Sequence, residues 1–355
     1  MSVQSDLAFA HQAELIRIAD LLGNRVGSMW SQLDINRLDT SWNFIAPDLM
    51  RLVTAAQAEA VRQTTPYVNS LDVANGFAPR PAAIIPEAFT NVMGDGREVA
   101  PALYGAVTTT KKAIGGGMSL VDAFQAGATF ARIVASAAVH DLARSSIEVL
   151  AAGKGYTRYV RVVGGSACSR CAILAGTYSA TETAFARHVH CCCTTCPINV
   201  GGKAPTGLHD DPSAYFDSLS ATDQDRVFTK AGAEAIRHGA DITKVVNARR
   251  SAYGIGYSGH SRSLGGVKVP VTHGVLKPIT IGQRADGTPL QVYATQFTAR
   301  SQFYKNEQAR VAAALAQGNY TRTISTRLMP EQIAIMANGN PIRWIELLAK
   351  YGYLA

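Results

Sequence analysis

Through the first 150 residues apolar positions recur every three or four residues, the period of a helix with one buried face. Residues 7–29 carry Leu15, Ile18 and Leu22 at that spacing and predict a first helix. A second is predicted over residues 43–63, rich in alanine and ended ahead of Pro66, because a proline pushes its predecessor out of the helical region. Pro81 and Pro86 then break the chain. A third helix is predicted over residues 98–113, closed by Gly115-Gly116-Gly117, since glycine accepts the left-handed turn that stops a helix. The clearest helix follows. Ser119-Leu120-Val121-Asp122 is a capping box, in which the serine accepts from a free backbone N–H and the acid three residues on reaches back. Leu120, Phe124, Ala131, Val134, Ala138 and Leu142 continue one apolar face, and Gly153-Lys154-Gly155 stops it. Such a helix has about 34 residues and is on the order of 50 Å long.

The pattern changes at Tyr156. Residues 156–163 alternate polar and apolar side chains and predict a strand. Gly164-Gly165 turns the chain into a cluster of cysteines, and a Gly/Pro/Asp-rich connection spans residues 201–212. Helical pattern returns over residues 221–238 and 241–252. Residues 254–266 hold five glycines and read as a flexible loop. Residues 267–293 are strand-like but interrupted by Pro270, Pro278 and Pro289, and helices are expected over residues 302–317, 330–336 and 341–351. The fold class expected is therefore α+β and mainly helical. Residues 1–155 form a helical region with a long central helix, 156–200 a metal-stapled β-hairpin module, and 201–355 a basic region of mixed α/β character.

Composition narrows the class. Of 355 residues, 47% are hydrophobic and 17% charged, which suits a globular chain with a sizeable core. The N-terminal residues are polar and show no basic segment leading into an apolar one, so no signal peptide is expected. The most apolar stretch, residues 126–139, is interrupted by Arg132, which argues against a membrane span and for the cytoplasm or an assembly built there. Charge is uneven. Residues 1–150 carry 11 Lys/Arg against 14 Asp/Glu, and residues 151–355 carry 23 against 12. The C-terminal part is thus the expected contact for a polyanion, with Arg249, Arg250, Arg262 and Lys268 the candidate phosphate contacts.

All six cysteines lie within residues 168–196. A disulfide framework would spread them to staple distant loops, whereas tight clustering favours a metal. Cys168 and Cys171 are two residues apart, so a tight turn can bring both thiolates to one ion at about 2.3 Å. Sixteen residues later come His188, Cys191, Cys193 and Cys196, which the returning chain can deliver as a second pair. Two ligand sets compete: Cys168, Cys171, His188 and one of Cys191 or Cys193, or the all-cysteine set Cys168, Cys171, Cys193 and Cys196. Either would be saturated by protein ligands, the mark of a structural zinc, one per chain.

The stretch Cys168-Ser-Arg-Cys171-Ala-Ile-Leu174-Ala-Gly176, followed by Phe185-Ala-Arg-His188-Val-His-Cys191-Cys-Cys193, resembles the MuF-like minor head proteins of tailed bacteriophages. Val246-Asn-Ala-Arg-Arg250, Arg327-Leu-Met-Pro330-Glu-Gln-Ile333 and Leu347-Leu348-Ala-Lys-Tyr-Gly352-Tyr353 look like phrases of its actinobacterial-phage members. The family's motif positions fall on Cys168, Cys171, His188, Cys191 and Cys193. Val189 stands where the family has proline, Cys192 where it is usually basic, and Cys196 is additional. The resemblance implies a minor structural protein of the phage head that acts in head morphogenesis, and in DNA delivery, at the portal or head interior. Its implied partners are the portal and capsid proteins and packaged DNA bound without sequence preference. Its implied location is the virion, and the host cytoplasm during assembly.

Two other functions are weighed. A capsid maturation protease needs a nucleophile, a histidine base and an orienting group. The chain has no G-x-S-x-G elbow and no H-E-x-x-H motif, leaving His209-Asp210-Asp211 and Ser258-Gly259-His260-Ser261 as the candidates. A nucleic-acid-binding zinc protein unrelated to phage heads would use the same basic residues, with Tyr253 and Tyr257 interleaved for stacking.

Overall fold

The computed structural model describes residues 2–78, 80–164, 167–180, 191–199, 205–208, 211–248, 255–264, 267–274, 276–283, 287–295, 302–317 and 327–354. Its contacts divide the chain into two units, residues 1–215 and 216–355.

The first unit opens with five helices: α1 (Val3–Trp30), α2 (Leu38–Arg62), α3 (Thr64–Ala74), α4 (Val99–Gly115) and α5 (Leu120–Gly153). Four of them follow the predicted pattern. The exception is α3, which contains Pro66. That proline sits in the first turn, where its missing N–H has no intrahelical partner to lose. Ser119 caps α5 as its sequence foretells, accepting from the N–H of Asp122 at 3.1 Å. The Asp122 carboxylate meets the Ser119 hydroxyl at 2.6 Å. The main core is built from the facing stripes of four helices, among them Leu15, Leu22 and Trp30 of α1, Leu49 and Val53 of α2, Leu103 and Val107 of α4, and Ala131, Ala135 and Val139 of α5. Alanines on α5 let its neighbours come close. At Gly127 an added Cβ would run into Thr110 and the Trp30 ring, so only glycine fits that crossing.

A small antiparallel sheet follows, with strands β1 (Arg158–Val162), β2 (Tyr178–Ala180) and β3 (Thr194–Ile198) in the order β2-β1-β3. A four-residue helix, α6 (Ser169–Ala172), lies between β1 and β2. The expected hairpin is thus a three-stranded sheet whose centre is β1. It is no separate body. Val160, Val162 and Cys196 share a core with Tyr67, Val68 and Leu71 of α3 and with Ile147 and Leu150 of α5. Every residue of β3 is buried, so that strand is covered on both faces. The helix α7 (Pro212–Ser218) spans the boundary between the units.

The second unit contains α8 (Ala221–Phe228), α9 (Lys230–Arg237), α10 (Ile242–Ala248), strands β4 (Ile255–Leu264), β5 (Val267–Gly274), β6 (Leu276–Gln283) and β7 (Pro289–Thr295), and then α11 (Gln302–Ala316), α12 (Pro330–Ala337) and α13 (Pro341–Lys350). The helix expected over residues 221–238 is broken at Thr229, whose φ is +64° and whose side chain caps α9 by accepting from the N–H of Gly232. The larger correction concerns residues 254–266. Instead of a loop, residues 255–264 are a strand paired with β5, with an irregularity between Tyr257 and Ser261 that absorbs the glycine-rich register. β6 and β7 form a second two-stranded ribbon. The sequence phrases around residues 327–333 and 347–353 converge here. Leu328, Ile333, Leu347, Leu348 and Tyr353 share one core with Val245 and Ala248. Buried Arg327 donates to the carbonyls of Tyr351 and Gly352 and lies over the Tyr353 ring.

Among the described residues, no helix is long and apolar enough to cross a membrane.

Candidate metal centre

Strand β1 delivers the chain to the site in a register fixed by five pairs with β3, from Arg158 opposite Ile198 to Val162 opposite Thr194. Because side chains alternate along a strand, Val160 and Val162 enter the core shared with α3 and α5 while Tyr159 and Arg161 fall on the other face. Beyond β1 the Tyr215 hydroxyl holds the turn, lying 3.2 Å from the carbonyls of Gly164 and Ala167 and donating to both. Cys168 then caps α6. Its carbonyl accepts the N–H groups of Cys171 and Ala172, each at 3.0 Å. That single turn buries Cys171 and leaves Cys168 exposed.

The second arm enters at Cys191. Cys191 and Cys193 are two residues apart on chain leading into β3, so their thiols fall on one side, and both are buried. The Cys171 and Cys191 sulfurs are 3.6 Å apart. The sulfurs of Cys171, Cys191 and Cys193 all lie within 4.8 Å of one another. Tetrahedral zinc with bonds of about 2.3 Å places its sulfurs about 3.8 Å apart, so the triad is spaced for such an ion. None of the six cysteines is in a disulfide. This buried triad could hold a metal ion.

The thiols are not equivalent. Hydrogen bonds from Cys171 and Cys193 hold the Cys191 thiol far below its ordinary range against the cost of burial, helped by the Arg144 charge. Hydrogen bonding to Cys168, Cys191 and Cys193, with burial, pushes Cys171 far up. Cys168 thus adjoins the triad on the Cys171 side. Cys196 faces elsewhere. It lies three residues beyond Cys193 on the strand, packs in the core with Tyr67 and Leu150, and is pushed up to about 12 by burial. The all-cysteine set using Cys196 is therefore not assembled. His188 lies outside the described residues.

Polar groups of the helices hold the second arm by its backbone. Arg144 of α5 donates to the carbonyls of Cys191 at 3.1 Å and Cys193 at 2.7 Å, and its other terminal nitrogen donates to Asp141. Gln12 of α1 donates to the carbonyl of Cys192 at 3.0 Å, and Tyr67 of α3 to that of Thr195 at 3.0 Å. Gly164 leaves room for Gln12, since a Cβ there would meet its side-chain amide. Sequence reasoning missed these residues. Arg161 had a signal: it is a polar position of an alternating strand, and it is buried against Cys191.

The other candidates do not assemble into a site among the described residues. Arg249 and Arg250 lie outside them, as do His209, Asp210, Tyr253 and the side chains of Tyr257, His260 and Arg262. Lys268 is exposed. Arg262 is opposite Val269 and Lys268 opposite Ser263, so the two positions are out of phase across the ribbon. Asp211 accepts from the N–H of Ala214 at the start of α7. No family model matches the chain, and no curated protein or solved structure matches it.

Proposed function

We propose that this chain is a MuF-like minor structural protein of a tailed-phage head, and that Cys171, Cys191 and Cys193 hold one structural zinc with Cys168 as the fourth ligand. The observation that supports the reading is the convergence of both halves of the cysteine motif on one buried centre. Four thiolates saturate zinc and leave no position for water, so the ion organises a fold and does no chemistry. The protein acts in head morphogenesis with portal and capsid proteins and is not an enzyme. Its basic C-terminal region holds packaged DNA without sequence preference, through an attraction that falls steeply as salt rises.

Two measurements test this. Elemental analysis of never-chelated protein is expected to give about one zinc per chain. Cys168→Ser should lose it and His188→Ala should keep it; the reverse result moves the fourth ligand to His188. Mass spectrometry of purified procapsids and virions is expected to find the chain in heads, and its absence from both would end the head-protein reading.

A further inference from the structure

Three thiols, or four with Cys168, become a dense negative charge once metal binding has removed their protons. Zinc with three thiolates carries a net charge of −1, and with four −2. Burying an uncompensated charge is costly unless an opposite charge is built in beside it. Two arginines are buried at this site. Arg144, whose side chain is 4% exposed, reaches it from α5, and Arg161, 6% exposed as a residue, reaches it from β1. Arg161 Nη1 lies 3.9 Å from the Cys191 sulfur. Arg144 spans the carbonyls of Cys191 and Cys193 with one nitrogen, and Asp141 orients it from the preceding turn of α5.

Resting on the reading of the triad as a metal centre, we propose that Arg144 and Arg161 are positioning residues for the bound ion: Arg161 supplies countercharge at the Cys191 sulfur that makes the thiolate-rich centre stable in the interior, and Arg144 adds charge while setting the spacing of the Cys191 and Cys193 ligands. Both arginines act on the charge of the centre, and Arg144 in addition fixes the backbone that carries two of its thiols. A guanidinium near a ligating sulfur acts on the charge of the centre, and one that grips two ligand carbonyls acts on geometry as well. The neighbouring titratable groups on α5 do not replace either arginine. Burial drops His140 to about 3, so it is neutral, and Asp141 is engaged by Arg144. The ligand arm is thus tied to α5 through its own backbone.

The test uses the full chain loaded with Co2+, whose absorption reports the ligand set, and with Zn2+ in competition against a coloured chelator. Arg161→Met is expected to weaken metal binding by about ten- to a hundredfold while leaving the thiolate-to-cobalt band unchanged in position. Arg161→Lys should recover part of the loss, because it restores charge. Arg144→Lys keeps the charge but lacks the planar fork that holds the two carbonyls with one nitrogen and Asp141 with the other, and should alter the cobalt d–d spectrum as well as the affinity. Should Arg144→Lys fail to fold, the Arg161 pair still decides the countercharge. Parent-like affinity in Arg161→Met would overturn the proposal while leaving the metal centre standing. A parent protein that binds neither ion would overturn both.

Discussion

At the C-terminal end of α5, Lys154 buries its ammonium against Asp72; about three turns earlier Arg144 buries its guanidinium beside the cysteines. The first cluster is complete. Lys154 donates to Asp72 at 2.9 Å, to the Asn69 side chain at 2.5 Å and to the Arg80 carbonyl at 2.8 Å, which uses all three of its donors. The Asp72 carboxylate also accepts from Tyr156 at 2.9 Å and Arg80 at 2.6 Å. Burial alone would raise its pKa, and the hydrogen bonds from Lys154, Arg80 and Tyr156 outweigh that and hold it at about 2. The second cluster has its cationic side in place and its thiols facing one another. One cluster is a closed staple between α3, the end of α5 and the segment leading into β1. The other is a buried thiol triad that could hold a metal ion. The contrast sets a buried charge used wholly to tie elements together beside one that grips the backbone of a thiol cluster.

The largest effect expected from breaking this contrast is on the cysteine side. Cys171→Ser should lose the metal and lower the unfolding temperature together, because energy gained by binding at a structural site is also folding energy. Metal content and thermal unfolding, measured with and without chelator, check this. In the parent, chelator should reproduce the variant's loss, and in the variant it should do nothing further. A variant that keeps one metal per chain would remove Cys171 from the ligand set.

Breaking the closed staple should cost nearly as much with no dependence on metal. Lys154→Met removes one partner of a buried ion pair and is expected to destabilise by about 3–5 kcal/mol in urea unfolding, with parent-like metal content. The pH dependence has a definite sign. The Asp72 carboxyl titrates lower in the folded chain, at about 2, than in the unfolded one, so its contribution is fully present above about pH 4 and is lost as pH falls toward 2. The stability gap between the parent and Asp72→Asn should therefore close over that window. A gap unchanged down to pH 2 would show that Asp72 contributes by packing rather than by charge.

How far the sequence reached follows the same division. Helix α5 was legible because a capping serine, an apolar stripe and a glycine pair mark it from end to end. Helix α3 was not, since Pro66 reads as a stop unless it is known to sit in a first turn. Strand β4 was hidden by glycines, which weaken strand propensity without forbidding pairing once β5 lies alongside. At the site, Cys171, Cys191 and Cys193 stood out by spacing. Arg144 and Gln12 did not, because contacts across 47 and 180 residues leave no local pattern. Cys196 shows the limit of spacing from the other side: it lies within the motif and outside the cluster, since three steps along a strand reverse its face.

That reversal predicts an intermediate effect. Cys196→Ser places a hydroxyl in an apolar core and is expected to destabilise by about 1–3 kcal/mol while the protein keeps its metal. Thermal unfolding combined with elemental analysis separates the two readouts. Loss of metal in this variant would bring back the all-cysteine set of Cys168, Cys171, Cys193 and Cys196.

The smallest effect is expected at Cys192. It sits between two members of the triad and is not one of the three thiols that converge. It is only half-buried. What the helices hold at this position is the backbone, through the hydrogen bond from Gln12 to the Cys192 carbonyl, and any residue offers that carbonyl. Cys192→Ala should therefore retain one metal per chain, show a cobalt spectrum like the parent's, and shift stability by no more than about 0.5 kcal/mol. Gln12→Ala, which removes the grip and leaves the thiol, should do more to metal affinity than Cys192→Ala does. If the order is reversed, the 191–193 segment presents its thiols differently from the convergence described, and Cys192 becomes a candidate ligand in place of one of its neighbours.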